Sequence, residues 1–139
     1  MIEFHYETDF KIENEKKFTD WLTRVINSEE ATIGQLDYVF CTDEYLLDLN
    51  QKYLSHDTYT DIITFEYSAG RSLSGDIFIS VDRVRDNAEI LKVEFDEELL
   101  RVMSHGVLHL AGYKDKSDVE KAAMRLKEND KIKLFHVEQ

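Results

Sequence analysis

SHGVLHLAGYKDK, residues 104–116, sets two histidines four positions apart in an apolar run that stops at a glycine and is followed by a carboxylate. Four residues of α-helix turn through about 400°, so His105 and His109 stand one turn apart on the same face, within reach of one ion. Gly112 can adopt the positive φ that ends a helix, and the chain turning back there carries Asp115 towards the open side of that ion. Three protein ligands leave a fourth position for water, the arrangement of a catalytic rather than a structural zinc.

The rest of the chain bounds what such a site can serve. A length of 139 residues supplies one core, so residues 1–139 are read as a single domain. A hydrophobic share of 42% and an aromatic share of 12% exclude disorder. No apolar run approaches a membrane span, and the opening MIEFHYETDF has neither the basic nor the apolar region of an export signal, so a cytoplasmic protein with no membrane partner is expected. The single cysteine, Cys41, excludes an internal disulfide and reads as a small buried hydrophobe, with no disulfide-linked partner. The net charge of −12, from 29 acids and 17 bases, opposes binding to phosphates unless a local basic patch or a divalent cation carries it.

In chain order, residues 2–6 alternate as a strand that contains His5, expected to be a surface or strand-packing histidine rather than a ligand. Lys11 to Ile26 has apolar residues at helical spacing, and Gln35 to Cys41 reads as a second strand. Thr42 or Asp43 caps a helix from Glu44 to Tyr53, with Tyr45, Leu46, Leu49 and Tyr53 on one side. Leu54 to Asp61 is a loop whose His56 is a fallback metal ligand. Ile62 to Tyr67 and Gly75 to Val81 form a hairpin about a turn at Ala69-Gly70. Ser80 or Asp82 caps a helix through Leu91, with Val84, Ala88 and Leu91 inward. Asp96 is expected to cap the histidine helix. On that helix His105 and His109 share a face with Glu98, Arg101, Val102 and Leu108, opposite the core face. A last helix, Ser117 to Phe135, starts with a capping box to Glu120 and turns Val119, Ala122, Ala123, Leu126 and Ile132 inward. The class is α+β: a small four-stranded mixed sheet packed with about five helices, the metal site at the end of a central helix.

The spacing of the two histidines, Gly112 and the acid overlaps that of metzincin peptidases, in which a glutamate directly after the first histidine is the general base. Here that position is Gly106, which cannot take a proton. HGVLHLAGY is similar instead to the signature of the bacterial YbeY family of rRNA maturation factors, metal-dependent endoribonucleases. LNQKYL (residues 49–54), TDIITF (60–65) and SGDIFIS (74–80) resemble segments of that family in the same order, and the likeness covers most of the chain.

The resemblance implies that His105 and His109 are zinc ligands and that the third ligand, usually histidine, falls on Asp115, with Asp118 the alternative. Aspartate adds one negative charge, which favours harder ions such as Mn²⁺ beside Zn²⁺. The family's arginine in the LNQKYL segment is Leu54 here, and its proline before the TD pair is Tyr59. Losing the arginine removes a fork suited to phosphate oxygens, which Lys114, Lys116, Arg71 or Arg101 can replace. Thr60, Asp61, Asp76, Arg101 and Lys114 are the candidate groove residues. The expectation is a single-strand-specific endoribonuclease acting on rRNA with ribosomal components as partners. The alternatives are a non-catalytic ribosome-assembly factor with a structural metal, and another small metal hydrolase such as a peptidase.

Overall fold

The computed structural model describes residues 1–137, and among these the elements run β1 (Ile2–Tyr6), α1 (Glu15–Ser28), β2 (Thr32–Cys41), α2 (Asp43–Leu54), β3 (Ile62–Glu66), β4 (Ser72–Ser80), α3 (Val81–Leu91), α4 (Phe95–Leu110) and α5 (Asp118–Phe135). The strands form one mixed sheet in the order β1-β2-β4-β3; β1, β2 and β4 are parallel and β3 pairs antiparallel with β4. The β3–β4 hairpin turns through Gly70 at φ 59°, as the Ala69-Gly70 pair predicts. This is the α+β fold expected from the sequence.

Period-two alternation decides which layer each strand residue joins. Leu36, Tyr38 and Phe40 of β2 and Leu73, Ile77 and Ile79 of β4 are buried in the larger core, with α1, α3, α4 and α5. Cys41, Ile63, Phe65 and Phe78 pack instead with Leu46 and Leu49 of α2 on the second face. Side chains start four of the helices: Asn14, Thr42, Ser80 and Ser117 each accept a backbone N–H from the first turn, and Ser117 with Glu120 completes the expected capping box.

Several details differ from the sequence reading. The N-cap of α4 is Glu94, not Asp96, and no side chain caps it. Leu91 of α3 and Tyr53 of α2 are exposed, and Asn50 takes a buried place on α2, donating to Thr58 O at 2.8 Å. The largest difference is in α5, where Val119 and Leu126 are exposed while Met124, Glu128, Lys131 and Ile132 are buried. A charged pair displaces the apolar face because its partners are already in place, as the contacts of Lys131 and Glu128 show.

Lys131 Nζ donates to Glu29 Oε2 at 2.5 Å and to Ser28 Oγ at 2.8 Å, at the C-terminal end of α1. Tyr113 Oη donates to Glu29 Oε1 at 2.7 Å, and Lys127 approaches Oε2 at 3.4 Å. Burial pushes the Glu29 carboxyl up, but the hydrogen bonds from Lys131 and Tyr113 outweigh it and hold the group below its ordinary value. One carboxylate thus ties α1 to α5 and to the loop after α4.

α4 is the central helix and is buried around most of its circumference. Val102 and Leu108, expected on an outward face with the histidines, are 3% and 0% exposed. They are covered because α4 has the sheet on one side and α3 and α5 on others. Only a narrow strip stays open, with Arg101 and His105 half-buried and His109 exposed. Gly106 faces the sheet so closely that a Cβ there would stand 3.0 Å from Ile77 Cγ2 and 3.1 Å from Ile62 Cδ1. The glycine expected only as a missing base is therefore a packing requirement.

Gly106→Val overpacks the helix–sheet contact and is expected to lower stability by about 1–3 kcal/mol, read as a fall in the urea midpoint at unchanged slope. Glu29→Ala leaves the Lys131 ammonium buried without its partner and is expected to cost about 3–5 kcal/mol. Because the folded Glu29 carboxyl titrates below its unfolded value near 4.5, its contribution is full above that pH and is lost as pH falls through the lowered folded value. The stability gap between wild type and Glu29→Gln is accordingly expected to shrink on acidification from pH 7 to pH 3; an unchanged gap contradicts the clamp.

Candidate active site

A cleft of about 550 Å³ opens between the exposed strip of α4, the start of β3 and the first half of α5. His105 is its fixed point. The ring Nδ1 lies 2.7 Å from Glu128 Oε2, and Nε2 lies 3.2 Å from Asp115 Oδ2. A carboxylate only accepts, so Nδ1–H donates to Glu128 and Nε2 is directed at Asp115. Burial of the ring lowers its pKa, but Glu128 foremost, with Asp115 and Asp61, reverses this and holds it above the ordinary value. Arg101 secures the other oxygen of Glu128, with Nη1 at 3.2 Å from Oε1, and donates through Nη2 to Asn129 Oδ1 at 2.9 Å.

The donor chemistry fits a divalent ion. With Nδ1 donating, the Nε2 lone pair meets a second acceptor, Asp115, unless the ring takes another proton or a cation lies between them. Ligand atoms about 2.0–2.2 Å from a tetrahedral zinc stand roughly 3.3 Å apart, which matches the 3.2 Å between Nε2 and Asp115 Oδ2. Gly112, at φ 109°, ends α4 as predicted and lets the chain return with Asp115. His109 lines the same cleft one turn beyond His105 but does not close with both His105 and Asp115. Among the described residues, the set of three ligand groups whose atoms all lie within 4.8 Å is a different one, Glu3, His5 and Asp37, on the polar face of β1 and β2. There His5 Nε2 lies 2.8 Å from Asp37 Oδ1, and the Gln35 amide donates to Glu3 at 2.9 Å and to Asp37 at 3.2 Å. Those mutual contacts already satisfy the group.

Of the groove residues expected from sequence, Thr60, Asp61 and Arg101 line the cleft. Burial pushes the Asp61 carboxyl up, while the neighbouring His105 pulls it down. Asp76 pairs with Phe65 across the hairpin, so it shares the sheet face of Phe78 and lies on the side away from the cleft; it accepts from Tyr67 Oη at 3.2 Å. Lys114, Lys116, Asp118 and His56 are exposed and lie outside the lining, and Leu54 is exposed at the end of α2. Arg71 is spent on backbone carbonyls, those of Glu29 and Ala111, which tie the hairpin to α1 and α4.

Three side chains of α5 were missed. Glu128 orients His105, and Lys121 and Arg125 bring cations to the rim. The spacing of Met124, Glu128, Lys131 and Ile132 is helical and could have revealed the buried face, had charged residues been allowed on it. With Arg101, Lys121 and Arg125 against Asp61, Glu98, Asp115 and Glu128, the cleft holds nearly balanced charge in a chain of net charge −12.

The fold is shared with a Thermotoga maritima protein of known solution structure, which superposes with a TM-score of 0.69 over 97% of this chain and 89% of that one at 24% identity. The family profile described as Endoribonuclease YbeY matches residues 2–136. Proteins named Endoribonuclease YbeY from Flavobacterium johnsoniae and Flavobacterium psychrophilum are 58% and 56% identical over 139 residues, covering all of this chain and 100% and 99% of theirs. That of Christiangramia forsetii is 51% identical over 138 residues, 99% of this chain and 96% of its own. The chain belongs to the endoribonuclease YbeY family.

Proposed function

We propose that the cleft between α4, α5 and β3 cleaves single-stranded RNA, with rRNA precursors and ribosomal components as its cytoplasmic setting. The observation that carries this is His105 clamped between Asp115 and Glu128 on the floor of a nearly charge-balanced cleft. His105, His109 and Asp115 hold one divalent ion, Zn²⁺ or a harder ion such as Mn²⁺; His109 joins the other two by side-chain rotation. Such an ion supplies Lewis-acid polarisation of a phosphate oxygen and a lowered pKa for water.

The chain's own residues do the rest. Glu128 fixes the tautomer and ring plane of His105, the role of a carboxylate behind a ligating histidine. Arg101, itself held by Glu128 and Asn129, takes over the cationic function that Leu54 cannot supply, and Lys121 and Arg125 extend it along the rim. These three cations offset the four carboxylates enough for a polyanion to approach. A peptidase is disfavoured on physical grounds: the glutamate it needs after the first histidine would occupy position 106, where even a Cβ presses on Ile77.

Chelation of divalent ions, or His105→Ala, is expected to reduce cleavage of an unstructured RNA oligonucleotide to background; cleavage at the untreated rate sinks the assignment. A chelator-induced loss of thermal stability without any RNA cleavage by the untreated protein supports the structural-metal reading instead. Glu128→Gln is expected to weaken metal binding roughly 10–100-fold in a calorimetric titration, and equal affinity removes Glu128 from the site.

A further inference from the structure

Asp61 stands in the cleft wall at the entry to β3. Glu128 and Asp115 are committed to His105, whereas the Asp61 carboxyl receives no hydrogen bond from a side chain among the described residues. Arg101, which lines the same cleft, is spent on Glu128 and Asn129. Asp61 is half-buried, and neither of its oxygens is sealed from solvent without a partner, so the carboxyl stays open to the cleft.

Packing sets this carboxyl beside the histidine. A Cβ at Gly106 would stand 3.1 Å from Ile62 Cδ1, and His105 and Asp61 each precede the members of that contact by one residue. Their charges act on each other: the histidine draws the carboxyl down, and the carboxyl draws the ring up. A divalent ion at His105 strengthens the first effect, so at mildly alkaline pH the carboxyl is ionised and can only accept.

An ionised carboxylate beside the phosphate position repels a polyanion unless the substrate brings it a donor. Along the sugar–phosphate backbone of RNA the phosphate, ester and ring oxygens all accept, and the 2′-hydroxyl alone donates. That hydroxyl stands on the carbon next to the one bearing the 3′-phosphate, so a phosphate held at His105 carries it towards the wall where Asp61 stands. The backbone of DNA has no donor at all. We propose that Asp61 is a specificity-determining residue that accepts a hydrogen bond from the 2′-hydroxyl of the nucleotide whose 3′-phosphate lies at His105, and so distinguishes ribose from deoxyribose on binding. A site built round a hydroxyl rejects the analogue that lacks it, because the acceptor is then desolvated with nothing in exchange. This rests on the endoribonuclease reading, since it needs RNA in the cleft.

The test uses the full-length, metal-loaded protein and short single-stranded oligonucleotides of one base sequence, in all-ribose, all-2′-deoxy and singly 2′-deoxy forms. Stopped-flow fluorescence anisotropy at mildly alkaline pH reads binding ahead of cleavage. Wild type is expected to bind the all-ribose form roughly tenfold more tightly than the form with 2′-deoxyribose at one particular position, and Asp61→Ala to bring that ratio close to one. Removing a negative charge strengthens binding of both forms alike, so the ratio isolates the hydrogen bond. Asp61→Asn keeps a carbonyl acceptor and is expected to retain part of the preference. A wild type that binds all the forms equally, a ratio that Asp61→Ala leaves intact, or a loss of metal binding in Asp61→Ala as large as in Asp115→Ala overturns the proposal. Should the wild type cleave no RNA, the endoribonuclease reading fails by itself. An Asp61-dependent ribose preference in binding then still upholds this assignment, and its absence rejects it.

Discussion

The carboxylate of Glu29 is the point on which the site's geometry depends. It receives Lys131 and Lys127 from α5 and Tyr113 from the loop after α4, and its backbone carbonyl receives Arg71 from the hairpin. Glu128 lies one turn before Lys131 on α5, and Asp115 lies two residues after Tyr113. The two groups that flank His105 are thus anchored through one residue that touches neither of them. A buried ion pair is a poor source of net stability against an apolar pair of the same shape, but it fixes rotation of a helix far better than interchangeable methyl groups would. Here it turns α5 so that a charged strip faces inward, and the helix forgoes burial of Val119 and Leu126.

That rotation also resolves the conflict between an acidic chain and a polyanionic substrate. The charge of −12 is a sum over the whole surface, whereas association depends on the field inside the cleft. Several of the cleft's carboxylates are already committed: Glu128 to His105 and Arg101, Asp115 to His105. A divalent ion at His105 would turn the formal balance of the lining positive. The acids elsewhere then discourage non-specific binding and leave the cleft as the favoured landing place.

Much of the fold was legible because it rests on local rules. Alternation in IEFHY and GDIFISV, turn chemistry at Ala69-Gly70 and the Ser117–Glu120 box each concern a few neighbouring residues, and each holds in the structure. Gly112 as the stop of α4 was readable for the same reason. What failed was the inference from apolarity to burial. Leu126 and Leu91 are exposed and Lys131 and Glu128 are buried because partners more than 20 residues away in sequence set the outcome, and no periodicity contains that information. Asp76 was misplaced relative to the cleft for a related reason: strand alternation alone does not say which sheet face the site uses.

The central position of α4 constrains how the histidine motif can be displayed. Its buried residues contact the sheet, α3 and α5 at once, so the helix can present function only along the strip from Arg101 to His109. Gly106 brings the backbone down onto Ile77 and Ile62, and this close approach brings His105 beside β3, where Asp61 enters the cleft. A side chain at 106 would lift the helix and carry both histidines with it. The glycine that distinguishes the motif from that of a peptidase is therefore a geometric part of the site, and the proton-transfer role it cannot perform has to fall to groups on β3, α5 or the substrate itself.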